Sequence, residues 1–394
     1  MSIPYLSYTP ALLEPTILHR NLERENLAWE LVQKNAALNR CLHPITIQSL
    51  AKLMQSMNSY YSNLIEGHIT KLKDIERSLA GDYFTDPQKR DLQLEAVAYI
   101  EVQILVDQKM DQKINHQSPT SSEFLCWIHQ EFYQRLPQSL AVVMGDSQNE
   151  AVNPGNFRNL QVSIGDHIPP PPETLITFMS YFDQVYGNLH LSQIERVLAS
   201  AAAHHRFLWI HPFLDGNGRV ARIFSHAYLR SAGIDNQLWS ISRGLARQVE
   251  KYRELLAIAD QQRHNDYDGR GNLSLSGLTK FTQFFLHTCI DQIDFISSRL
   301  QLDKLLDRIE LWTAIEIKAG KIKSGSFLLL KAALLEGSIP RGKAALITGR
   351  EERQARTILK SLLDRGVLES STARGNLLIA FIADVVDDWL PGLM

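Results

Sequence analysis

The run His-Pro-Phe-Leu-Asp-Gly-Asn-Gly-Arg-Val-Ala-Arg, from His211 to Arg222, constrains this chain more than any other segment. Residues 197–210 before it are mostly apolar and rich in alanine, which predicts a helix, and residues 219–230 predict a second helix. A glycine-flanked turn that leads into a helix N-terminus binds anions, because free backbone N–H groups and the helix dipole point the same way. The sequence therefore predicts two helices joined by an anion-binding turn.

Two side chains of this turn suit chemistry on a polyphosphate with a divalent metal. The proline after His211 ends the preceding helix and fixes the corner, where a neutral imidazole can take a proton from an attacking hydroxyl. Asp215 offers a hard oxygen ligand to Mg²⁺, which usually binds one or two carboxylates together with phosphate oxygens. Taken singly, a histidine before proline is also typical of a structural corner, and Asp-Gly-Asn-Gly of an ordinary turn.

The rest of the run supplies donors for phosphate. Gly216 and Gly218 allow the backbone to approach a phosphate closely, and Asn217 adds a neutral donor. Arg219 and Arg222 are three residues apart, so they share a face of the second helix and can bind a polyphosphate with forked donors.

The whole run resembles the signature of the Fic family, His-Pro-Phe-x-Asp/Glu-Gly-Asn-Gly-Arg-x-x-Arg, at every fixed position. Family members transfer a nucleotide monophosphate, most often AMP, to a protein hydroxyl. The resemblance implies that His211 is the general base and Asp215 the Mg²⁺ ligand. It also implies that the amides of residues 216–218, with Asn217, hold the α-phosphate, while Arg219 and Arg222 bind the outer phosphates. ATP is then the substrate, and the partner is a protein with a Ser, Thr or Tyr hydroxyl.

A second segment, Ser62-Asn-Leu-Ile-Glu66-Gly67, resembles the inhibitory motif of the same family. Ser62 and Glu66 are four residues apart and share a helix face, and Gly67 suits a helix C-terminus. The resemblance implies that Glu66 pairs with Arg222 and that ATP then binds in a non-productive pose. A helix that simply ends at glycine with a solvated glutamate is the alternative. We expect an autoinhibited resting state.

Residues 153–172 predict a small β-hairpin. Asn153-Pro-Gly-Asn-Phe-Arg158 is rich in turn residues, the residues from Leu160 to Ile164 alternate as in a strand, and Gly165-Asp166 suits a turn. The resemblance implies that this is the family's flap, which docks a target segment through Val162 and Ile164. A plain surface hairpin is the alternative.

Tyr252 lies in an amphipathic helix, and the resemblance implies that it lines the adenine pocket. An aromatic side chain on such a helix is otherwise typical of a hydrophobic core.

Composition agrees with an intracellular enzyme. The chain has 394 residues, 44% of them hydrophobic, and a net charge of −2, which argues against a protein that coats nucleic acid. The three scattered cysteines suit a reducing cytoplasm. No apolar stretch approaches the roughly 20 residues that cross a bilayer, and the N-terminus lacks a signal-peptide pattern. We expect a cytoplasmic protein with no membrane partner, and homodimerisation stays open.

We predict a mainly α fold, a Fic-type helical bundle with a β-hairpin flap and a small C-terminal winged helix-turn-helix domain. The predicted division is residues 1–110 as an N-terminal helical region with the inhibitory motif, 111–290 as the catalytic core, 291–322 as a linking helix and 323–394 as the winged-helix domain. The last region predicts three helices and then two strands around a wing. Its residues 341–374 contain eight Lys or Arg against four Asp or Glu, which favours contact with DNA phosphates. Winged helices also serve as dimerisation or protein-docking modules.

The sequence supports hypotheses of two classes. The first is a protein adenylyltransferase (a nucleotidyltransferase) that modifies a target protein, and possibly itself, and that Glu66 inhibits. The second is a DNA-binding regulator in which the same fold senses a nucleotide. The intact His211 favours the enzyme, since a sensor needs no base. Within the enzyme class, Glu66 could instead orient water to remove AMP from a modified protein.

Overall fold

A computed structural model describes residues 8–16, 21–111, 118–144, 149–187, 191–372 and 374–394 of the chain. This part is mainly helical, so the predicted fold class is confirmed. Its α-helices, in chain order, are α1 (Leu22–Leu38), α2 (Pro44–Ile65), α3 (Leu72–Leu79), α4 (Pro87–Asp111), α5 (Ser122–Tyr133), α6 (Leu175–Tyr186), α7 (Gln193–Ile210), α8 (Asn217–Ser231), α9 (Ile241–Arg247), α10 (Val249–Asp260), α11 (Leu275–Arg299), α12 (Leu302–Lys318), α13 (Ser326–Glu336), α14 (Ala344–Thr348), α15 (Glu352–Asp364) and α16 (Ala383–Trp389). Its strands are β1 (Val142–Met144), β2 (Asn149–Ala151), β3 (Leu368–Glu369) and β4 (Leu378–Ile379).

Helix α7 lies at the centre and packs against α1, α6, α8 and α11. It begins at a capping box, in which the Ser192 side chain accepts from the Glu195 backbone N–H and the Glu195 carboxylate accepts from the Ser192 N–H. Its run of small residues, 201–203, is fully buried. Because alanine leaves little side chain between helices, α8 and α11 approach this face closely, and the turn between α7 and α8 is held by both.

Helix α2 has two packing surfaces, one against helices of the first 300 residues and one against the last hundred residues. On one side it packs against α4 and α9, and on the other it contacts α13 and β4. Near its N-terminus, the Thr46 hydroxyl donates to the Leu334 carbonyl at 3.0 Å. Lys52 pairs with Glu369 at 2.6 Å. The helix that carries Ser62 is therefore bound by both halves of the molecule.

The predicted strand from Leu160 to Ile164 is wrong. Only an isolated bridge between Ile164 and His167 is present there, around the predicted turn, and the hairpin of this region is β1–β2, about twenty residues earlier. The reason is that side chains occupy the backbone carbonyls around this segment. Arg158 donates to the Leu160 and Pro170 carbonyls at 2.9 and 2.5 Å.

The predicted single linking helix, residues 291–322, is also wrong. Its first part is the end of α11, and its second part is α12, with a break at Leu300 and Gln301. Leu300 leaves helical geometry at ψ 6° and Gln301 is extended at ψ 113°. Neither proline nor glycine marks this break, and Arg308 stabilises it by donating to the Arg299 carbonyl that α11 leaves free.

The last region contains α13, α14 and α15, followed by the antiparallel pair β3–β4. A bridge between Ile339 and Leu377 adds a third short extended segment to this pair. The order of elements is the predicted one, while the assignment to the winged-helix class remains a prediction.

The C-terminal tail is fixed by side chains that donate to its carbonyl groups. Arg243 of α9 donates to Leu393 at 3.0 Å and to Gly392 at 2.6 Å. Tyr61 of α2 donates to the same Leu393 carbonyl at 2.8 Å. Because Arg243 is only 3% exposed and also donates to Gln292 at 2.8 Å, it joins the tail to the core.

We predict that Arg243→Ala lowers the free energy of unfolding by about 3 kcal/mol, because the Gly392 carbonyl and the Gln292 side chain lose their donor and the Leu393 carbonyl loses one of its two. Urea denaturation followed by tryptophan fluorescence measures the change. Arg247→Ala is the matched control, since Arg247 lies on the same helix and is exposed. Equal stability of the two variants would contradict the proposed role of Arg243.

Candidate active site

Two left-handed backbone positions shape the turn between α7 and α8. His211 has φ 50° and ends α7, and Gly216 has φ 77° and precedes α8. The Asn217 side chain, one residue after Gly216, accepts from the Phe213 N–H at 3.0 Å and donates to the Phe213 carbonyl at 2.8 Å. The Asn217 amide group is therefore used within the turn, which leaves its backbone N–H for a ligand. The predicted contact of Asn217 with phosphate stays a prediction, now for its backbone N–H.

The His211 side chain is neutral and has a defined tautomer. Its Nδ1 lies 3.3 Å from the Leu208 carbonyl, which can only accept, so Nδ1 carries the proton and Nε2 has a lone pair. Burial lowers the pKa of His211 to about 4. Arg158 holds the corner in place by donating from Nε to the His211 carbonyl at 2.8 Å. The side chain can therefore accept a proton at neutral pH.

Side chains of helix α5 contact the turn between α7 and α8. Tyr133 donates to the Asp215 carboxylate at 2.7 Å, and a Cβ at Gly216 would lie 2.8 Å from the Tyr133 ring. His129 stacks on Phe213 with ring centroids 4.1 Å apart. Its Nδ1 accepts from the Gly155 N–H at 2.9 Å, so its Nε2 donates to the Asp215 carbonyl at 3.3 Å. These contacts fix the position of the Asp215 carboxylate.

Asp215 suits a hard cation that brings other ligands with it. The residue is exposed, so one of its oxygens can face a ligand. Within the described ranges, no three His, Cys, Asp or Glu side chains form a group that could hold a metal ion. A Mg²⁺ ion bound at this carboxylate would thus take most of its remaining oxygen ligands from phosphate and water.

Arg222 is buried and bound to the inhibitory segment. It is 2% exposed, its Nε donates to the Ser62 hydroxyl at 2.8 Å, and its Nη2 pairs with Glu66 at 2.5 Å. Burial by itself raises the pKa of the Glu66 carboxyl, but Arg222 and Arg219 outweigh it, and the pKa lies below its ordinary value. Glu66 is thus ionised at neutral pH. A buried guanidinium needs such a counter-charge.

The Glu66 carboxylate also lies at the N-terminus of α8. A Cβ at Gly218 would be only 2.5 Å from Glu66 Oε1. Glu66 ends α2 and Gly67 follows at φ 86°, as predicted for a helix C-terminus. The carboxylate thus lies where the backbone of α8 offers its free N–H groups.

Arg219 points to a second carboxylate. Its Nη2 lies 3.3 Å from Glu95 Oε2 of α4 and 3.1 Å from His68 Nδ1. The guanidinium also lies 5.5 Å from the centre of the Phe132 ring. Glu95 was not among the residues predicted from the sequence.

Tyr252 is 3% exposed and bound inside the core. The Ser225 hydroxyl donates to the Ala221 carbonyl, so it accepts from His204 Nδ1 at 2.7 Å. His204 Nε2 then accepts from the Tyr252 hydroxyl at 2.7 Å. Burial lowers the pKa of His204 to about 3, which keeps it neutral. The contact between Tyr252 and adenine stays a prediction.

The structure brings the predicted motif and the inhibitory segment together, while a docking role for the flap residues stays a prediction. Val162 is half-buried and Ile164 is 41% exposed, beside the bridge to His167. Sequence reasoning missed Tyr133, His129 and Glu95, and it named Arg158 only as part of the predicted hairpin. Glu95 had one usable signal, because it shares a helix face with Tyr99 and Val102, which are buried apolar positions of α4.

Comparison with known proteins identifies the domain. Residues 119–229, from the start of α5 to most of α8, match the Fic/DOC family. This segment, which spans less than a third of the chain, is similar to a Fic domain. Curated relatives of the segment include proteins from Drosophila erecta and Drosophila melanogaster, both named "Protein adenylyltransferase Fic" and both 39% identical over 112 residues. The match covers 28% of this chain and 22% of each relative.

Solved structures with the same fold come from distant relatives. A Fic family protein from Desulfovibrio desulfuricans has a TM-score of 0.52 at 15% identity, over 92% of this chain and 97% of that one. Fic-1 from C. elegans (residues 134–508) has a TM-score of 0.56 at 14% identity, over 71% of this chain and 74% of that one. At this identity the likeness shows a shared fold. No helix in the described part of the chain is long and apolar enough to cross a membrane.

We predict that the His211 imidazole stays neutral from about pH 8 to about pH 5 and titrates near pH 4, because burial disfavours its charged form. NMR of ¹³C-labelled histidine rings over this pH range measures the midpoint, and the His211→Gln variant assigns the signal. A midpoint near the ordinary value of about 6.5 would contradict the described burial.

Proposed function

We propose that this chain is a protein adenylyltransferase, which transfers AMP from ATP to a Ser, Thr or Tyr hydroxyl of a target protein. The observation that carries the proposal is a neutral His211 with a lone pair on Nε2, beside a helix N-terminus lined by two arginines. The names of the Drosophila relatives support the same activity. An anion sensor would need the arginines and the helix N-terminus, but it would not need a base.

In the proposed reaction, the target hydroxyl gives its proton to His211 Nε2 as its oxygen attacks the α-phosphorus of ATP. The new O–P bond joins the target to AMP, and the bond between the α-phosphorus and its bridging oxygen breaks. Pyrophosphate leaves with the electron pair of that bond. The N–H groups at the start of α8 and the guanidinium groups of Arg219 and Arg222 neutralise phosphate charge. Catalysis is thus mainly positioning and charge stabilisation.

Asp215 suits the Mg²⁺ ion that accompanies ATP. Its carboxylate is exposed, and Tyr133 holds it by donating to one oxygen. A bound Mg²⁺ would neutralise part of the phosphate charge. The protein's own contribution is to orient this carboxylate toward the turn that binds the phosphates.

We infer that Glu66 inhibits this reaction by taking the place of a phosphate. Its carboxylate pairs with Arg222 and lies against Gly218, so it uses both the guanidinium and the helix N-terminus. The terminal phosphate of ATP would need the same two groups. Because Arg222 is buried, replacing Glu66 by another anion is favourable only when that anion is well placed.

We predict that Glu66→Gly incorporates label from ATP labelled at the α-phosphate at least about tenfold faster than the wild type, a difference of about 1.4 kcal/mol in activation free energy. Label retained on purified protein, on the chain itself or on added cell proteins, is the measurement. Glu66→Gly/His211→Ala and removal of Mg²⁺ are the controls, and both should abolish the signal.

Two outcomes would contradict the proposal. Equal labelling with and without His211 would remove the base from the mechanism. No label in any variant, together with release of AMP from modified protein by the wild type, would favour the hydrolase in which Glu66 orients water.

A second function, DNA binding, is favoured by one surface. The exposed face of α15 carries Arg353, Arg356, Thr357 and Lys360, spaced as neighbours on one side of a helix, while Ala355, Ile358 and Leu362 are buried behind it. Arg356 pairs with Glu352 at 2.9 Å, but both side chains are more than three-quarters exposed, so this pair is weak. A basic stripe of this kind fits the phosphates of duplex DNA.

We predict that replacing Arg353, Arg356 and Lys360 by alanine lowers the affinity for a random-sequence DNA duplex about tenfold or more and reduces its salt dependence. Fluorescence anisotropy at several salt concentrations measures both. The control replaces Arg247, Lys304 and Lys318, three exposed basic residues outside this surface. No binding by the wild type, or an equal loss in both triple variants, would contradict DNA recognition by α15.

A further inference from the structure

Two acidic residues bind the two arginines of the signature, and they do so differently. Arg222 pairs with Glu66, which follows α2, and Arg219 pairs with Glu95 in the middle of α4. Glu66 also lies against Gly218, at the helix N-terminus. The three heavy atoms nearest to a Cβ at Gly218 belong to Glu66 and Arg222, and none belongs to Glu95.

Glu95 joins Arg219 to the segment after the inhibitory motif. Its Oε2 lies 2.6 Å from His68 Nδ1 and 3.3 Å from Arg219 Nη2. The hydrogen bond that His68 donates to Glu95 raises the pKa of His68. Arg219 Nε approaches Asn63 Oδ1 at 3.5 Å, so one edge of the guanidinium faces α2 and α4.

Because Arg219 and Glu95 are both buried, each is the counter-charge that the other needs. Arg219 is 6% exposed and Glu95 is 7% exposed, so both charges are largely removed from water. A buried guanidinium without a partner has an unfavourable desolvation free energy, so it would reorient or draw in water. In the described contacts, Glu95 accepts from Nη2 and Asn63 accepts from Nε, while Nη1 donates to neither.

We propose that Glu95 is a positioning residue, which holds Arg219 so that its remaining N–H donors face the outer phosphates of ATP. The proposal rests on the proposed function in one respect, since it takes ATP as the ligand. Glu95 itself touches neither phosphate nor metal. It fixes the guanidinium before the nucleotide arrives, so the site does not have to order a long side chain on binding.

The test measures ATP affinity in the Glu66→Gly background, where Arg222 is free. We expect Glu95→Ala to raise the Kd for Mg-ATP about tenfold, measured by isothermal titration calorimetry, because Arg219 loses its fixed orientation. Glu95→Gln keeps an oxygen that can accept from Arg219, and it should bind ATP no more weakly than the parent. With labelled ATP, Glu95→Ala should raise KM more than it lowers kcat.

Controls separate this role from a general loss of structure. Glu101→Ala removes another glutamate of α4, which pairs with Arg135 at the surface, and should leave the Kd unchanged. Should Glu95→Ala fail to fold, Glu95→Asp keeps the charge but shortens its reach, and we expect weaker ATP binding from it as well. NMR of the His68 ring reports the local pair, because loss of Glu95 should lower the pKa of His68.

Two results would overturn the proposal. Tighter ATP binding by Glu95→Ala would show that Glu95 competes with phosphate, and unchanged binding by both Glu95→Ala and Glu95→Asp would show that Arg219 needs no support. Failure of the adenylyltransferase proposal would look different. The Glu66→Gly parent would then bind ATP but transfer no label, and the effect of Glu95 on the Kd could still be read.

Discussion

The pairing of Arg222 with Glu66 governs how this site can work. The guanidinium is 2% exposed, and a buried cation is stable only beside an anion. In the described contacts that anion comes from the chain itself, at the end of α2. Any nucleotide that uses Arg222 has to replace one counter-charge by another. Such an exchange would keep the buried guanidinium paired with an anion.

The turn that follows α7 is rigid for a separate reason. The Asn217 side chain is hydrogen-bonded to the Phe213 backbone, Tyr133 orients the Asp215 carboxylate, and Arg158 binds the carbonyl of His211. None of these contacts involves α2. The groups proposed for chemistry are thus fixed by the helical core, while the carboxylate that pairs with Arg222 comes from the end of α2. Different helices therefore supply these two sets of contacts.

Much of this arrangement could be predicted from the sequence, because short-range patterns determine it. The spacing of Ser62 and Glu66 predicted their shared face, and Gly67 predicted the end of the helix. The break at Leu300 left no such pattern, since no proline or glycine is present and a tertiary contact from Arg308 stabilises it. The strand predicted at residues 160–164 failed for the same reason, because Arg158 binds the neighbouring carbonyls. Contacts distant in the sequence cannot be read from local spacing.

The backbone conformation at His211 restricts which residues fit there easily. A φ of 50° is uncommon for any residue with a Cβ, and glycine would adopt it at less cost. Gly216, a few residues later, also has a positive φ, and glycine adopts this conformation at less cost because it has no Cβ. A sequence optimised only for stability on this backbone would therefore place glycine or asparagine at position 211 and lose the imidazole. Histidine at position 211 therefore keeps an imidazole at this corner at some cost in conformational energy.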